Sequence, residues 1–177
     1  MDLPKHPVVH GHPLHAILSD GPAVLIPAAL AVELWDLARR NGTSGLSDAA
    51  CATAAAAAIS AGIVGWIDWL TMPTEHPARR PATLHGLINS AGIVGVVAAA
   101  GTRRLRLPLL AAATISTLVA AWLGGDLVFR YGWRVRPAEE AELVEASLSD
   151  PAGKKAFAEA RREVDDFERR RTFLPPG

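Results

Sequence analysis

The 177-residue chain is half apolar and one-fifth charged, and its 18 basic residues balance its 18 acidic ones. Its single cysteine, Cys51, excludes an intrachain disulfide, a four-cysteine zinc site and a self-contained Rieske or c-type haem centre. No phosphate-binding loop is present and the arginines are scattered, which excludes a nucleic-acid partner. The first residues lack the basic and apolar regions of a signal peptide, so the first helix is expected in the mature protein.

Four long apolar runs predict membrane-spanning helices, because about 20 residues cross the hydrocarbon core. The runs cover approximately 13–38, 49–72, 82–101 and 107–130. Pro22 and Pro27 fall inside the first run, where a packed membrane bundle tolerates proline. Ser47 and Asp48 are predicted caps of the second helix. The predicted fold is all-α, with residues 1–136 forming a four-helix transmembrane bundle; an alanine-rich soluble helical domain is the alternative.

The last segment, residues 137–177, is polar, with ten acidic and seven basic residues. It predicts a short soluble helical tail in which Ser149-Asp150-Pro151 ends one helix and starts another. In the second tail helix, Phe157, Ala160, Val164 and Phe167 recur on one face. We expect this helix to be solvated or to pair with a second copy, since its mixed charge disfavours a membrane-surface role.

Four spans place both termini on one side of the membrane, together with the loop between spans two and three. The residues that this topology places at the same membrane face are His6, His10, His12, His15, Asp68, His76, His85, Asp126 and Arg130. All six histidines are in that set. The positive-inside rule hardly decides the orientation, because six basic residues lie near the spans on this side and five on the other. We expect a multi-pass protein of the cell membrane with cytoplasmic termini, because nothing in the sequence explains export of the charged tail.

The first span begins with a cluster that predicts a ligand site. Pro13 suits the first position of a helix, since its φ is already helical and its missing N–H needs no partner there. His12 is then the cap residue and His15 lies one turn in. His85 opens the third span, which starts at the same face, so both helix dipoles favour neutral, metal-ligating imidazole. His15 and His85 are the preferred axial pair for one b-type haem, with His12 as a substitute.

Two other interpretations remain open for this face. A non-haem zinc or iron ion would use His12, His15 and His85 with Asp68 or Asp126, since mixed imidazole and carboxylate ligands suit both metals. The third interpretation has no cofactor, and the polar residues form a hydrogen-bonded network that fixes helix register. Asp126 and Arg130, four residues apart, are then a structural ion pair.

Four motifs resemble a bacterial membrane family known as domain of unknown function 2231. They read GHPLHAIL, GWIDWLTMP, ARRPATLHGLIN and WLGGDLVFRYG, and the resemblance covers Gly11 to Val135. It marks His12, Pro13, His15, Asp68, His85, Gly124, Gly125 and Asp126. Ala16 replaces a proline that the family often has. Some members are joined to a Rieske-type module, so the resemblance implies a separate Rieske-type or other redox protein as a partner.

The sequence therefore predicts a non-catalytic scaffold or a redox accessory subunit in the lipid bilayer. A hydrolytic enzyme is disfavoured, because Cys51 starts the second span at the face opposite every histidine and cannot pair with one. The sequence neither requires nor forbids a homo-oligomer.

Overall fold

The computed structural model describes residues 8–10, 12–39, 45–135, 141 and 144–172. Five long helices are present in these ranges: α1 (Leu14–Ala38), α2 (Gly45–Leu70), α3 (Arg79–Gly101), α4 (Arg106–Phe129) and α5 (Pro151–Thr172). The first four are long and apolar enough to cross a membrane, which confirms the predicted fold class. A two-residue antiparallel ladder, β1 (Val8–Val9) with β2 (His12–Pro13), precedes α1 and was not predicted.

Two helix starts differ from the prediction. Pro13 is the N-cap residue of α1 and makes no side-chain cap bond, while His12 belongs to β2, so His12 is not the cap. Helix α2 begins at Gly45, which places Ser47 and Asp48 inside its first turn. The Ser47 hydroxyl donates to the Glu33 carboxylate of α1 instead of capping α2. In both places tertiary or strand contacts outweigh the local capping preference.

The helices form a ring in which each contacts its two neighbours. Helix α1 packs against α2 and α4, and α3 packs against the same two helices, so α1 and α3 lie on a diagonal. Helices α1 and α3 begin, and α2 and α4 end, at one end of the bundle, which we call the histidine end. The start of α1 and the end of α4 are therefore on the same side, as the topology predicted.

Small side chains dominate the contacts between the helices. The buried core includes Ala29, Ala54, Ala58, Ala99 and Ala113, with Leu110 and Val96 among the few large members. Large apolar side chains lie instead on the outside, for example Val24, Ile63, Val94, Trp122 and Phe129. Small residues let membrane helices approach closely, whereas large apolar residues are compatible with lipid. This distribution is the one expected of a bundle in a bilayer.

A buried polar network around Arg106 joins the four helices of the bundle at the end opposite the histidines. Arg106 of α4 is only 2% exposed, and its Nη1 lies 2.8 Å from Asp48 Oδ1 and 3.8 Å from Glu33 Oε2. Its Nε donates to the Ala99 carbonyl at 3.1 Å, and its Nη1 donates to Ser47 Oγ at 3.3 Å. Charged groups at membrane depth are costly unless paired. This network thus pins the beginnings of α2 and α4 to the last third of α1.

The tail belongs to a separate compact unit, Gly132–Gly177. Asp150 caps α5: its Oδ1 accepts from Ala152 N at 2.9 Å and its Oδ2 from Gly153 N at 2.7 Å. Pro151 takes the first helical position, where a missing N–H costs nothing. The predicted helix start is confirmed. Of the predicted apolar face, Phe157 is half-buried, while the side chains of Val164 and Phe167 lie outside the described residues.

Replacing Asp150 by alanine is expected to fray the start of α5, because two backbone N–H groups lose their acceptors. The expected cost is about 1 kcal/mol of helix stability. Amide hydrogen exchange of residues 152–156 in the intact protein measures this as faster exchange. Ser149→Ala, an exposed neighbour, is the matched control. Equal exchange in both variants would contradict the capping role.

Candidate functional site

Two histidines meet across the diagonal of the bundle at the histidine end. His15 lies in the first turn of α1 and His85 in the second turn of α3. Their ring centroids are 6.3 Å apart, and the ring planes are inclined by 82°. The fold therefore brings together the pair that the sequence singled out, from helices that hardly touch each other elsewhere.

Hydrogen bonds at both ring nitrogens define the state of His85. Its Nδ1 lies 2.8 Å from the carbonyl oxygen of Ala120 in α4, so Nδ1 carries the hydrogen and donates it. Its Nε2 lies 3.0 Å from Asn89 Nδ2, whose amide also donates to the His85 backbone oxygen at 3.1 Å. Both partners agree on the neutral Nδ1–H tautomer, in which Nε2 is an acceptor. The imidazole is thus oriented with its lone pair on Nε2, where it accepts from Asn89.

His15 is held by packing. Its Nδ1 is buried and has no hydrogen-bond partner among the described residues. Its ring lies on Gly65 of α2 so closely that a Cβ at that position would stand 2.8 Å from His15 Cε1. A buried ring nitrogen without a partner is costly, because its desolvation is not repaid. His15 consequently offers an unsatisfied donor or acceptor at this end of the bundle.

A glycine also faces the other imidazole. A Cβ at Gly124 of α4 would stand 3.1 Å from His85 Cε1. Each histidine therefore lies on a glycine of the following helix, which lets the ring approach the backbone. Gly86 of α3 makes the same kind of contact with the Trp66 ring, at 3.3 Å from a built Cβ. The helices around the pair are thus lined by glycine where flat rings lie against them.

Two tryptophans of α2 attach this helix to α3 beside the histidine pair. Trp66 Nε1 donates to Ser90 Oγ at 3.1 Å, and Trp69 Nε1 donates to Thr83 Oγ1 at 2.9 Å. The Arg79 guanidinium lies 3.8 Å from the Trp69 ring centroid and donates to the Trp69 carbonyl at 2.9 Å. It thereby adds a second donor to a carbonyl at the end of α2 that also accepts from Met72 N at 3.1 Å.

The loop between α2 and α3 carries an anionic group at the same end. The Thr74 hydroxyl donates to Glu75 Oε1 at 2.6 Å. This side-chain hydrogen bond lowers the pKa of the Glu75 carboxyl below its usual value. Glu75 is consequently an anion at neutral pH.

The larger ligand set predicted for zinc or iron is not assembled by the described side chains. Within them, no group of three or more histidine, cysteine or acidic residues could hold an ion. Asp68 is buried in the last turn of α2, and Asp126 is half-buried in α4. His12 is placed in β2, and its side chain lies outside the described residues. The imidazoles that the described residues bring together are those of His15 and His85.

Among the described residues, no ion pair is seen between the side chains of Asp126 and Arg130. Arg130 follows the last residue of α4, is exposed, and directs its guanidinium toward the Tyr131 ring, with 5.5 Å to the centroid. The Asp126 backbone oxygen instead accepts from the Arg130 and Tyr131 amides at 2.9 and 3.2 Å. The four-residue spacing predicts an ion pair between the two side chains, whereas the contacts seen for Arg130 are with the Tyr131 ring and the Asp126 backbone oxygen.

Three contacts of the pair were missed in the sequence. The four-residue spacing of His85 and Asn89 was a usable signal for a hydrogen bond within α3. Gly65 was noted as part of a small-residue pair with Ala61, which indicated close packing but not its histidine partner. The Ala120 carbonyl carries no sequence signal, because any residue supplies one.

Four helices able to cross a membrane, with an imidazole pair at one end, define this chain as a multi-helix membrane protein. It belongs to the family described as predicted membrane protein (DUF2231), whose profile matches residues 11–137. The match includes α1 to α4 and both histidines. Neither the search of curated proteins nor that of solved structures found a match.

Proposed function

We propose that this protein is a non-catalytic redox subunit of the cell membrane that holds one b-type haem between His15 and His85. The number of ligands carries the proposal. A non-haem zinc ion ordinarily takes three or four protein ligands, whereas haem iron needs only axial ones because the macrocycle supplies the rest. The described residues bring together the imidazoles of His15 and His85, and within these residues no group of three or more histidine, cysteine or acidic side chains is assembled.

The separation of the rings is compatible with this assignment. Metal–imidazole bonds of about 2 Å place two nitrogens on one ion about 4 Å apart. Because each ring centroid lies about 1 Å behind its ligating nitrogen, that arrangement corresponds to centroids roughly 6 Å apart, close to the observed 6.3 Å. The Ala120 carbonyl would orient His85 and raise the basicity of Nε2, as second-shell acceptors do for ligating histidines. When bound, the haem supplies one-electron transfer.

The location of the pair limits what the subunit can do. It lies at one end of the bundle, and Glu33, Asp48 and Arg106 occupy the other end without a histidine among the described residues there. A second haem across the membrane has no ligands in that part of the chain. We propose cytoplasmic termini, with electron exchange at this face with a separate redox protein. The resemblance favours a Rieske-type partner, and a homo-oligomer is compatible with the fold.

A second candidate is a scaffold without a cofactor. One observation favours it: both ring nitrogens of His85 already have partners, Ala120 and Asn89. In this alternative the pair fixes the register of α1 against α3, and no redox partner is required. Haem uptake separates the two functions.

Titration of the detergent-purified, haem-free protein with haemin tests the proposal. One haem per chain is expected, with the low-spin spectrum and split reduced bands of two imidazole ligands. His15→Ala and His85→Ala are each expected to lose that spectrum, since one axial ligand disappears. The matched control is His10→Asn, because His10 is exposed and asparagine tolerates its positive φ of 48°.

Three results would contradict the haem assignment. Equal uptake by both alanine variants would mean that haem binds elsewhere. No uptake by the unmodified protein would leave the scaffold as its function. Stoichiometric zinc or iron in a colourless preparation would instead favour the non-haem site, with His12, Asp68 or Asp126 completing the ligand set.

A further inference from the structure

The Asn89 amide occupies the nitrogen that a metal centre would need. Its Nδ2 lies 3.0 Å from His85 Nε2, while His85 Nδ1 is committed to the Ala120 carbonyl at 2.8 Å. The second bond of the amide, to the His85 backbone oxygen at 3.1 Å, identifies the nitrogen side of Asn89 as the donor. The only lone pair that His85 can offer is therefore already hydrogen-bonded.

We propose that Asn89 is a displaceable cap on His85 Nε2. In the haem-free protein it satisfies a half-buried acceptor that would otherwise be left without a partner. On ligand binding the amide swings away and Nε2 becomes free to coordinate, so Asn89 is a positioning residue that sets the affinity of the site. The inference rests on the proposed function and names the residue that controls it.

His15 differs from His85 in this respect. Its Nδ1 is buried and has no hydrogen-bond partner among the described residues, so none of their groups has to be displaced from that atom. The two imidazoles are thus unequal: one is capped and oriented, and the other is unsatisfied and held by Gly65. We therefore expect the free-energy cost of exposing a ligating nitrogen to arise at His85, where the hydrogen bond from Asn89 must break.

Asn89→Leu removes the amide and keeps a similar volume. We expect haemin to bind about fivefold more tightly to this variant, because one net hydrogen bond no longer has to be broken. Leu87→Ala, at an exposed position of the same helix, is the control and is expected to leave the affinity unchanged. Unchanged or weaker binding to Asn89→Leu would overturn the cap.

Nitrogen NMR of ¹⁵N-labelled histidine in the haem-free protein provides a readout that does not depend on haem. The unmodified protein is expected to show His85 as the Nδ1–H tautomer with a hydrogen-bonded Nε2. In Asn89→Leu the tautomer is expected to persist, since Ala120 fixes it, while the Nε2 resonance moves to that of a free acceptor. An unmoved Nε2 resonance would overturn the cap even if haem binds, whereas a shifted resonance without any haem uptake would refute the proposed function and leave the cap.

Discussion

Replacing Arg106 by alanine is expected to lower the free energy of unfolding by about 3–5 kcal/mol, because it leaves buried acceptors unpaired. Arg106 is 2% exposed, and Glu33, its partner in α1, is equally buried. Ser47 donates to the same Glu33 carboxylate, and Ala99 of α3 accepts from Arg106, so removal of the guanidinium disrupts contacts among four helices. A lysine at 106 is expected to rescue little, since one ammonium cannot serve Ala99, Asp48 and Glu33 in a fixed planar geometry.

Thermal unfolding in detergent measures this effect. Arg104→Ala removes an exposed arginine from the same turn and is expected to change stability by less than about 0.5 kcal/mol. The double variant Arg106→Met with Glu33→Gln should recover part of the loss, because position 33 then carries no buried carboxylate that needs a cation. Similar losses of stability for Arg104→Ala and Arg106→Ala would contradict this expectation, because Arg106 would then contribute no more than an arginine exposed to solvent.

Gly65→Ala is expected to destabilise the bundle by about 1–3 kcal/mol through overpacking against the imidazole. The added Cβ would lie 2.8 Å from His15 Cε1 and 3.0 Å from His15 Nδ1, and a ring has no flexible end that could yield. The expected sign is opposite to the intrinsic preference, since alanine is ordinarily favoured over glycine inside a helix by up to about 1 kcal/mol.

The matched control for this substitution is Gly101→Ala. Gly101 ends α3 and has no atom within 4 Å of a built Cβ, so alanine there should be neutral or stabilising. Thermal unfolding of both variants gives the comparison. If Gly65→Ala stabilised the protein as well, His15 would not lie on the α2 backbone.

The spans were predictable because length and hydropathy alone decide whether a helix can cross a bilayer. The pairing of His15 with His85 was also within reach of sequence reasoning. Once four spans alternate in direction, the starts of the first and third helices must lie at the same end. The depth of His85 and its contact with Ala120 were not predictable, because they depend on how α3 and α4 pack.

The contacts of Arg106 show why other features of the fold could not be predicted from the sequence. Arg103, Arg104 and Arg106 form one basic turn in the sequence, and nothing local distinguishes the third from the others. Only the rotation of α4 about its axis directs Arg106 inward onto Glu33, while Arg103 stays largely exposed and pairs with Asp48. Position around a helix is a tertiary property, and charge spacing does not encode it.

The predicted Asp126–Arg130 ion pair likewise depends on side-chain direction, which the four-residue spacing does not fix. Arg130 is the C-cap of α4, and its backbone is still in the αR region with its N–H bonded to the Asp126 carbonyl. Its guanidinium nevertheless lies toward the Tyr131 ring.

The proposed two-imidazole haem site of His15 and His85 is tested by the reduced-minus-oxidised visible spectrum of the protein. The protein is purified in mild detergent from cells supplied with a haem precursor, and the haem content is measured on the same sample. We predict one haem per chain and sharp α and β bands on reduction with dithionite. A preparation without haem that also takes up none when haemin is added would contradict the claim.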